Sequence, residues 1–410
     1  LLDRADNPRR TIADLYVQRG TLLDRQDRPI NITQGVSGDF SREYLYPDLS
    51  SVVGYTNPVY GQAGLEAELD PYLRGLKGNR ASLIWWDHLL YGQPPPGLDV
   101  RLSLDLTIQQ KVDHLLGEYH GAVVLMNAKT GEILAMASHP TFDANTLEKD
   151  WQNLVTSNSA PLLDRATQGQ YSPGTSVGPF ELAYLAGIQS LPSLPQYLFS
   201  NSGASAQCSL PVENSIDWGT AVAHGCKAAT IELGRNLGGD ILLQLYRKLG
   251  FFQAPAIPLP VFSSPAPTKI TNLEDLSSGQ ESLKINPLQL ALASAALTNN
   301  GEQPAPRLAL TVITPHPGPV VLPAESQPVQ VFQPASAQAV VQMLQVADHP
   351  EWETIGSAQN GTNKWLTWYV GGTTSDWQGT PLAIALVIEE NDPAAAQQIG
   401  RDILESAQIP

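Results

Sequence analysis

The sequence predicts an α+β fold in which an antiparallel sheet is flanked by helices. Two apolar segments, 121–127 and 132–138, surround turn formers at 128–131, and this pattern is typical of a β-hairpin. Two more strands are predicted near the other end of the chain, at 364–371 and 381–388. Because the segments between these ends have helical patterns, we expect the sheet and the helices to form packed layers.

A helix is predicted directly before the hairpin. Asp105 is a good N-terminal cap, and apolar residues follow it at positions 108, 112, 115 and 116. This spacing places them on one face of a helix, so the helix is expected to pack against the sheet.

The other helices are predicted from their start and stop signals. They cover 179–191, 220–237, 241–249 and 288–297, and a last helix starts at Asp392-Pro393 with Ile399, Ile403 and Leu404 facing inward. Residues 302–350 contain many prolines and are predicted to form a surface excursion.

The length of 410 residues exceeds that of one ordinary domain. Residues 1–98 have weak periodicity and frequent turn formers, including a predicted turn at 24–29, and we expect them to form a strand-rich pedestal domain. The run Gln93-Pro94-Pro95-Pro96-Gly97 is typical of a linker. We therefore assign residues 99–410 to a second domain that contains the predicted sheet.

Composition excludes several classes of function. The net charge of −16 repels phosphate backbones, so no nucleic-acid partner is expected. The sequence has no H-E-x-x-H or paired C-x-x-C pattern, no Walker A motif and no G-x-G-x-x-G motif. We therefore predict no metal and no cofactor.

One pattern, G-x-S-x-G, occurs at Gly174-Thr175-Ser176-Val177-Gly178. In α/β-hydrolases this pattern forms a nucleophile elbow between a buried strand and a helix. The residues before Gly174 do not read as a buried strand, so we reject that interpretation.

Several segments, read in chain order, resemble class B penicillin-binding proteins. Residues 19–30 are similar to their R-G-x-I-x-D-R-N-G opening, and 365–372 to their W-F-x-G strand. The full set of matching segments is RGTLLDRQDRPI (19–30), VGYTNPVYGQAGLEAELDPYLRG (53–75), LSLDLTIQQKVD (102–113), GAVVLMNAKTGEILAMASHPTFDAN (121–145), SGQESLKINPLQLALASAALTNNGEQPAP (278–306) and WLTWYVGG (365–372). The resemblance covers nearly the whole chain and implies a transpeptidase domain like that of serine β-lactamases.

The resemblance also locates three catalytic motifs, and each of them is altered. For the family's P-G-S-x-x-K, this chain has Thr175 at the serine nucleophile and Gly178 at the lysine. For S-x-N it has Gly225-Cys226-Lys227, and for K-T-G-T it has Gln359-Asn360-Gly361-Thr362.

These replacements remove the groups that acyl transfer needs. A hydroxyl is a weak nucleophile without a nearby base, and in the family the lysine of the first motif is a leading candidate for that base. Gly178 supplies no amine, Gly225 supplies no hydroxyl, and Gln359 carries no charge. The favoured interpretation is therefore a pseudo-transpeptidase that is not an enzyme.

An alternative interpretation keeps the activity. Lys227 stands where the family has asparagine, beside the lysine of the first motif. Its amine would then be a migrated base for Thr175 or Ser176, with Thr362 retained from the third motif, in an active D,D-transpeptidase or carboxypeptidase. The simpler reading is that Lys227 is solvated or salt-bridged.

The resemblance implies partners and a location. We expect weak or non-covalent binding of peptidoglycan stem peptides or β-lactams, and association with other membrane proteins of cell-wall synthesis. The expected location is the extracytoplasmic face of the cytoplasmic membrane, with an anchor preceding Leu1. Cys226 occupies the middle of the second motif, where the family often has cysteine, and it either pairs with Cys208 in a disulfide or both are free buried thiols.

Overall fold

A five-stranded antiparallel sheet lies at the centre of the C-terminal part of the protein. The computed structural model describes residues 15–81, 84, 95–195, 208–212, 216–280, 283–316, 318–359, 361 and 364–407. The strands are β1 Leu22–Leu23, β2 Asn31–Gln34, β3 Ser41–Tyr44, β4 Thr56–Asn57, β5 Gly61–Gln62, β6 Asp99–Leu102, β7 Gly121–Asn127, β8 Ile133–His139, β9 Glu302–Gln303, β10 Ala309–Ile313, β11 Pro319–Val321, β12 Val329–Gln330, β13 Glu351–Gln359, β14 Trp365–Thr373 and β15 Leu382–Ile388.

The α-helices are spread along the same described ranges. They are α1 Ser50–Val53, α2 Gly64–Glu68, α3 Asp70–Leu73, α4 Leu106–Leu116, α5 Leu147–Thr156, α6 Arg165–Gln168, α7 Gly178–Ile188, α8 Trp218–Ala223, α9 Lys227–Leu237, α10 Gly239–Lys248, α11 Leu273–Ser277, α12 Pro287–Thr298, α13 Pro334–Met343 and α14 Pro393–Ser406. Short 3-10 turns cover Pro47–Leu49, Ala144–Thr146 and Gly174–Val177.

The large sheet has the order β13-β14-β15-β7-β8, and every neighbouring pair is antiparallel. The predicted hairpin is confirmed as β7 and β8, and the two predicted strands near the end of the chain are confirmed as β14 and β15. The edge strand β13 was not predicted from the sequence. The predicted α+β class, an antiparallel sheet flanked by helices, is confirmed.

The two faces of the sheet bury different cores. Along β7, Val123 and Leu125 face α4 and α14, in a cluster that includes Ile108 and Ile403. The alternate residues, such as Val124, belong to the larger core on the opposite face, which also contains the apolar residues of the buried helix α12. This alternation is what a strand buried on both faces requires.

Side-chain caps define the N-terminal ends of three predicted helices, α4, α12 and α14. The Asp105 side chain accepts a hydrogen bond of 2.9 Å from Thr107 N and starts α4. Asn286 and Gln289 form a reciprocal capping box at the start of α12. Asp392 caps α14 by accepting from Ala395 N, and the inward face of that helix is as predicted.

Two predictions about the middle of the chain are wrong. The single helix expected over 220–237 is two helices, α8 and α9, because the chain turns at Gly225 with φ of +62°. The stretch 302–350 is not only a surface excursion. Its helix α13 buries Ala337 and Val340 in the main core.

The N-terminal part is tied to the rest through a four-stranded sheet. Strand β1 pairs in parallel with β6, and β6 pairs with β10. A turn at Arg25–Asp27 follows β1, as predicted. The boundary between 1–98 and 99–410 stays a prediction, and residues 93 and 94 of the expected linker lie outside the described residues.

Within the described ranges, no helix combines the length and apolarity needed to cross a membrane.

A buried carboxyl in α7 gives a stability prediction. Glu181 is fully buried and its Oε1 lies 2.8 Å from the Tyr246 hydroxyl, whereas its Oε2 has no hydrogen-bond partner among the described residues. Burial raises the pKa of Glu181 well above its ordinary value. The Tyr246 hydroxyl also lies 3.1 Å from Leu276 O, so a protonated Glu181 can donate to Tyr246 while Tyr246 donates to that carbonyl.

We expect Glu181→Gln to remain folded and to gain stability relative to the wild type as pH rises. The unfolded chain releases the Glu181 proton near the ordinary pKa while the folded chain keeps it, so wild-type stability falls as pH increases above that value. Glutamine preserves the donor and removes this loss. Urea unfolding between about pH 5 and about pH 8 measures the difference. Exposed Glu118→Gln serves as the control, and identical pH profiles for wild type and Glu181→Gln would refute the prediction.

Candidate functional site

A cavity of about 610 Å³ lies between β13, the 3-10 turn Gly174–Val177 and the start of α9. It brings together four of the positions predicted from the sequence: Thr175, Gly225, Lys227 and Gln359. The described residues that line it are Thr175, Cys208, Ser209, Gly225, Lys227, Gln280, Ser357, Gln359, Trp365, Asn391 and Pro393. Another cavity, of about 560 Å³, lies in the N-terminal part around Arg42, and none of the predicted site residues lines it.

Thr175 forms part of the cavity floor at the entrance to α7. Its side chain is almost fully buried, and its Oγ1 accepts a hydrogen bond of 3.2 Å from Ser357 N. The hydroxyl oxygen is therefore held against the edge strand of the sheet. Donation from a backbone N–H draws electron density from the oxygen and does not activate it for attack.

Ser176 points away from the cavity. It is fully buried, it is not part of the lining, and its hydroxyl donates a hydrogen bond of 2.7 Å to Pro173 O. A Cβ at Gly356 would lie 2.5 Å from Ser176 N, so strand β13 closes over this residue.

The space beside Gly178 contains methyl groups. A Cβ built at Gly178 would lie 3.1 Å from Thr230 Cγ2 and 3.2 Å from Val222 Cγ1. The Thr230 hydroxyl is turned away and donates to Lys227 O at 2.9 Å. Apolar groups from α8 and α9 thus occupy the volume next to the position predicted to have lost its lysine.

The turn between α8 and α9 forms the second wall. A Cβ at Gly225 would lie only 1.9 Å from Ile355 O, so the close approach of β13 excludes a side chain there in this backbone. Cys226 forms a disulfide with Cys208, which is the first of the two alternatives drawn from the sequence.

Lys227 is the first residue of α9 and lines the cavity. Its ammonium makes no hydrogen bond or ion pair with any residue of the described ranges. Among the described residues that line the cavity it is also the only charged one, although the chain as a whole carries −16. The cavity is therefore suited to an anionic ligand such as a carboxylate.

The part of β13 that contacts the first motif includes Gly356, Ser357 and Ala358, and Ile355 O approaches the Gly225 turn. Gln359 lines the cavity farther along the strand, and its backbone N–H donates to Gln280 Oε1 at 3.4 Å. A Cβ at Gly361 would meet no atom within 4 Å. Asn360 and Thr362 lie outside the described residues.

Sequence reasoning missed three hydroxyl residues of this region. Ser357 N–H holds Thr175 Oγ1, and the Thr354 hydroxyl donates to Val222 O at 2.6 Å. Ser209 lines the cavity next to Cys208. The run Thr354-Ile355-Gly356-Ser357 shares the glycine and a final hydroxyl residue with K-T-G-T, and this was the available signal in the sequence.

Comparison with known proteins relates this chain to penicillin-binding proteins. Residues 121–405 match the model of the penicillin binding protein transpeptidase domain. The peptidoglycan D,D-transpeptidase PbpA of Mycolicibacterium smegmatis is 26% identical across 98% of this chain and 92% of that protein. Among solved structures, the imipenem acyl-enzyme complex of penicillin-binding protein A from M. tuberculosis has a TM-score of 0.84 at 25% identity, covering 97% of this chain and 100% of that one. The penicillin G acyl-enzyme complex of the same protein has a TM-score of 0.82.

The Gly225 turn yields a stability prediction. We expect Gly225→Ala to lower the free energy of unfolding by about 3 kcal/mol or more, because a left-handed backbone costs an alanine about 1–2 kcal/mol and its Cβ would also overlap Ile355 O. Gly250→Ala is the matched control. Gly250 has φ of +76°, but a Cβ there would meet no atom of the described residues within 4 Å. We therefore expect Gly250→Ala to lower the free energy of unfolding by only about 1 kcal/mol. If urea unfolding gave the same decrease in unfolding free energy for Gly225→Ala and Gly250→Ala, β13 would not confine Gly225.

Proposed function

The chain belongs to the penicillin-binding protein transpeptidase family, and we propose that it has lost acyl transfer and retains the cavity as a non-covalent binding site for peptidoglycan peptides. The observation that carries this proposal is the methyl packing of Val222 and Thr230 beside Gly178. It leaves the Thr175 hydroxyl without an amine at the position where the family has its lysine.

The loss of that base has a large kinetic consequence. A threonine hydroxyl must lose its proton as it attacks a carbonyl carbon, and without a base the alkoxide is inaccessible near neutral pH. Removing one member of a coupled catalytic constellation costs about four to six orders of magnitude in rate. The Ser357 N–H is also engaged by Thr175 Oγ1 at 3.2 Å, so it is not free to stabilise an oxyanion.

We further assign the equivalent of K-T-G-T to Thr354-Ile355-Gly356-Ser357 rather than to 359–362. Support comes from the contacts of this segment with Thr175 and Ser176. Thr354 then replaces the lysine, and its hydroxyl is already bonded to Val222 O. Under this assignment too, the third motif provides no cation.

The location and partners follow as further parts of the proposal. A disulfide between Cys208 and Cys226 persists in an oxidising compartment, which supports a site outside the cytoplasm. There the protein would act as a scaffold or regulator among membrane proteins of cell-wall synthesis, held by an N-terminal anchor. Stem peptides, and β-lactams that resemble them, would bind weakly and without a covalent bond.

A second candidate function rests on Lys227. Its ammonium has no ionic or hydrogen-bond partner in the described part of the chain, and it lines the same cavity as Thr175. In an active transpeptidase or carboxypeptidase, this amine would deprotonate Thr175. Ser176 is disfavoured as the nucleophile because its hydroxyl is buried against Pro173 O.

Intact-protein mass spectrometry after incubation with penicillin G distinguishes the two candidates. We expect no mass increase over many hours, because acylation lacks a base and should be slower by at least about four orders of magnitude than in active members. Penicillin-binding protein A from M. tuberculosis, which forms an acyl-enzyme complex with penicillin G, is treated in parallel as the positive control. A single penicilloyl adduct that disappears in both Thr175→Ala and Lys227→Met would establish the active alternative instead.

A further inference from the structure

Ser209 lies where the second motif has lost its hydroxyl. The point that a Cβ would occupy at Gly225 is 2.7 Å from Ser209 Oγ and 2.9 Å from Thr175 Oγ1. A serine side chain that reaches this region from another segment therefore takes the place that Gly225 leaves empty. The sequence separation of Ser209 from the motif hides this relationship.

The segment that carries Ser209 is fastened to the Gly225 turn at three points. Cys208 is bonded to Cys226, Leu210 N donates to His224 O at 3.2 Å, and His224 Nδ1 donates to Pro211 O at 2.7 Å. These bonds flank Ser209 on both sides in the chain. Its position beside the turn is consequently fixed by covalent and hydrogen bonds.

The Ser209 hydroxyl is not used by the hydrogen bonds of the described fold. Its Oγ is shielded from water and has no hydrogen-bond partner in the described ranges. A buried hydroxyl left in this state is destabilising, and such groups in native proteins call for an explanation. Because Ser209 also lines the cavity, rotation about its χ1 angle can direct the hydroxyl to a bound ligand.

The neighbouring cation defines the chemistry of that ligand. Lys227 follows Cys226 directly, and no other charged residue lines the cavity within the part of the chain that the structure describes. A flexible ammonium and a rotatable hydroxyl on one wall are both hydrogen-bond donors. Two donors, one of them positively charged, match the terminal carboxylate of a peptide.

We propose that Ser209 and Lys227 together bind the C-terminal carboxylate of a peptide in the cavity, with the Cys208–Cys226 disulfide holding Ser209 in place. This inference rests on the proposed function, since it names the groups that recognise the peptide. It places recognition on Ser209 and Lys227, at the second motif, instead of on the third motif, whose cation is absent.

The test is the affinity of a fluorescently labelled peptide ending in D-Ala-D-Ala, measured by anisotropy. We expect Ser209→Ala to bind about tenfold more weakly, and Lys227→Met about fivefold more weakly with a reduced dependence on salt. Because both residues contact one carboxylate, the affinity of the double variant should fall by less than the product of the fold-decreases of the two single variants. The same peptide with a C-terminal amide should bind the wild type weakly and respond little to either substitution.

Urea unfolding separates recognition from a structural role. Since the Ser209 hydroxyl makes no hydrogen bond with any described residue, Ser209→Ala should be at least as stable as the wild type. Ser406→Ala is the control, because Ser406 Oγ donates to Ile403 O within α14 and lies outside the cavity. A Cys208→Ala/Cys226→Ala variant that remains folded should lose affinity to about the level of Ser209→Ala.

The outcomes distinguish this inference from the proposed function. If the wild type binds the peptide without acylation but Ser209→Ala binds equally well, the inference fails and the proposed function stands. If mass spectrometry shows acylation of Thr175, the proposed function fails whatever the effect of Ser209→Ala. If the wild type shows no affinity for the carboxylate peptide at millimolar concentration, the inference is overturned as well.

Discussion

The packing of Val222 between the first motif and the edge strand is the contact on which the rest of the site depends. Its methyl groups lie against Gly178, and its carbonyl oxygen accepts hydrogen bonds from the Thr354 hydroxyl at 2.6 Å and from Gly225 N at 3.0 Å. One residue therefore fills the volume next to the missing lysine and ties α8 to β13. A side chain at Gly178 would crowd the methyl carbons of Thr230 and Val222, which lie 3.1 and 3.2 Å from its Cβ, so these three residues form one mutually consistent arrangement.

Under the proposed function, this arrangement separates binding from catalysis. A cavity of about 610 Å³ remains open, with Thr175 on its floor and a cation, Lys227, on its wall. Catalysis needs groups that bind the transition state more strongly than the substrate, whereas binding needs only hydrogen-bond donors that face the ligand. The cavity keeps donors that can face a ligand, so recognition of a peptide is compatible with the loss of acyl transfer that we propose.

The sequence predicts those parts of the fold that are determined locally. The hairpin of β7 and β8 and the helix capped by Asp105 follow from periodicity and capping, which act within a few residues. The break at Gly225 could not be predicted in this way, because the contact that demands a bare glycine comes from Ile355 O, 130 residues away. Strand β13 was missed because it buries polar residues such as Thr354 among apolar ones and lacks alternation. Ser209 was missed because the disulfide and two hydrogen bonds, not a sequence pattern, bring it to the cavity.

Nuclear Overhauser effects at Gly178 test the central claim most directly. In a sample with labelled methyl groups, the account predicts strong effects between the Gly178 α-protons and the methyl protons of Val222 and Thr230, whose carbons lie 3.1–3.7 Å from a Cβ built at that glycine. The opposite result would be weak or absent methyl contacts together with strong effects from the ε-methylene protons of Lys227. That pattern would place an amine beside Thr175 and contradict the loss of the catalytic base.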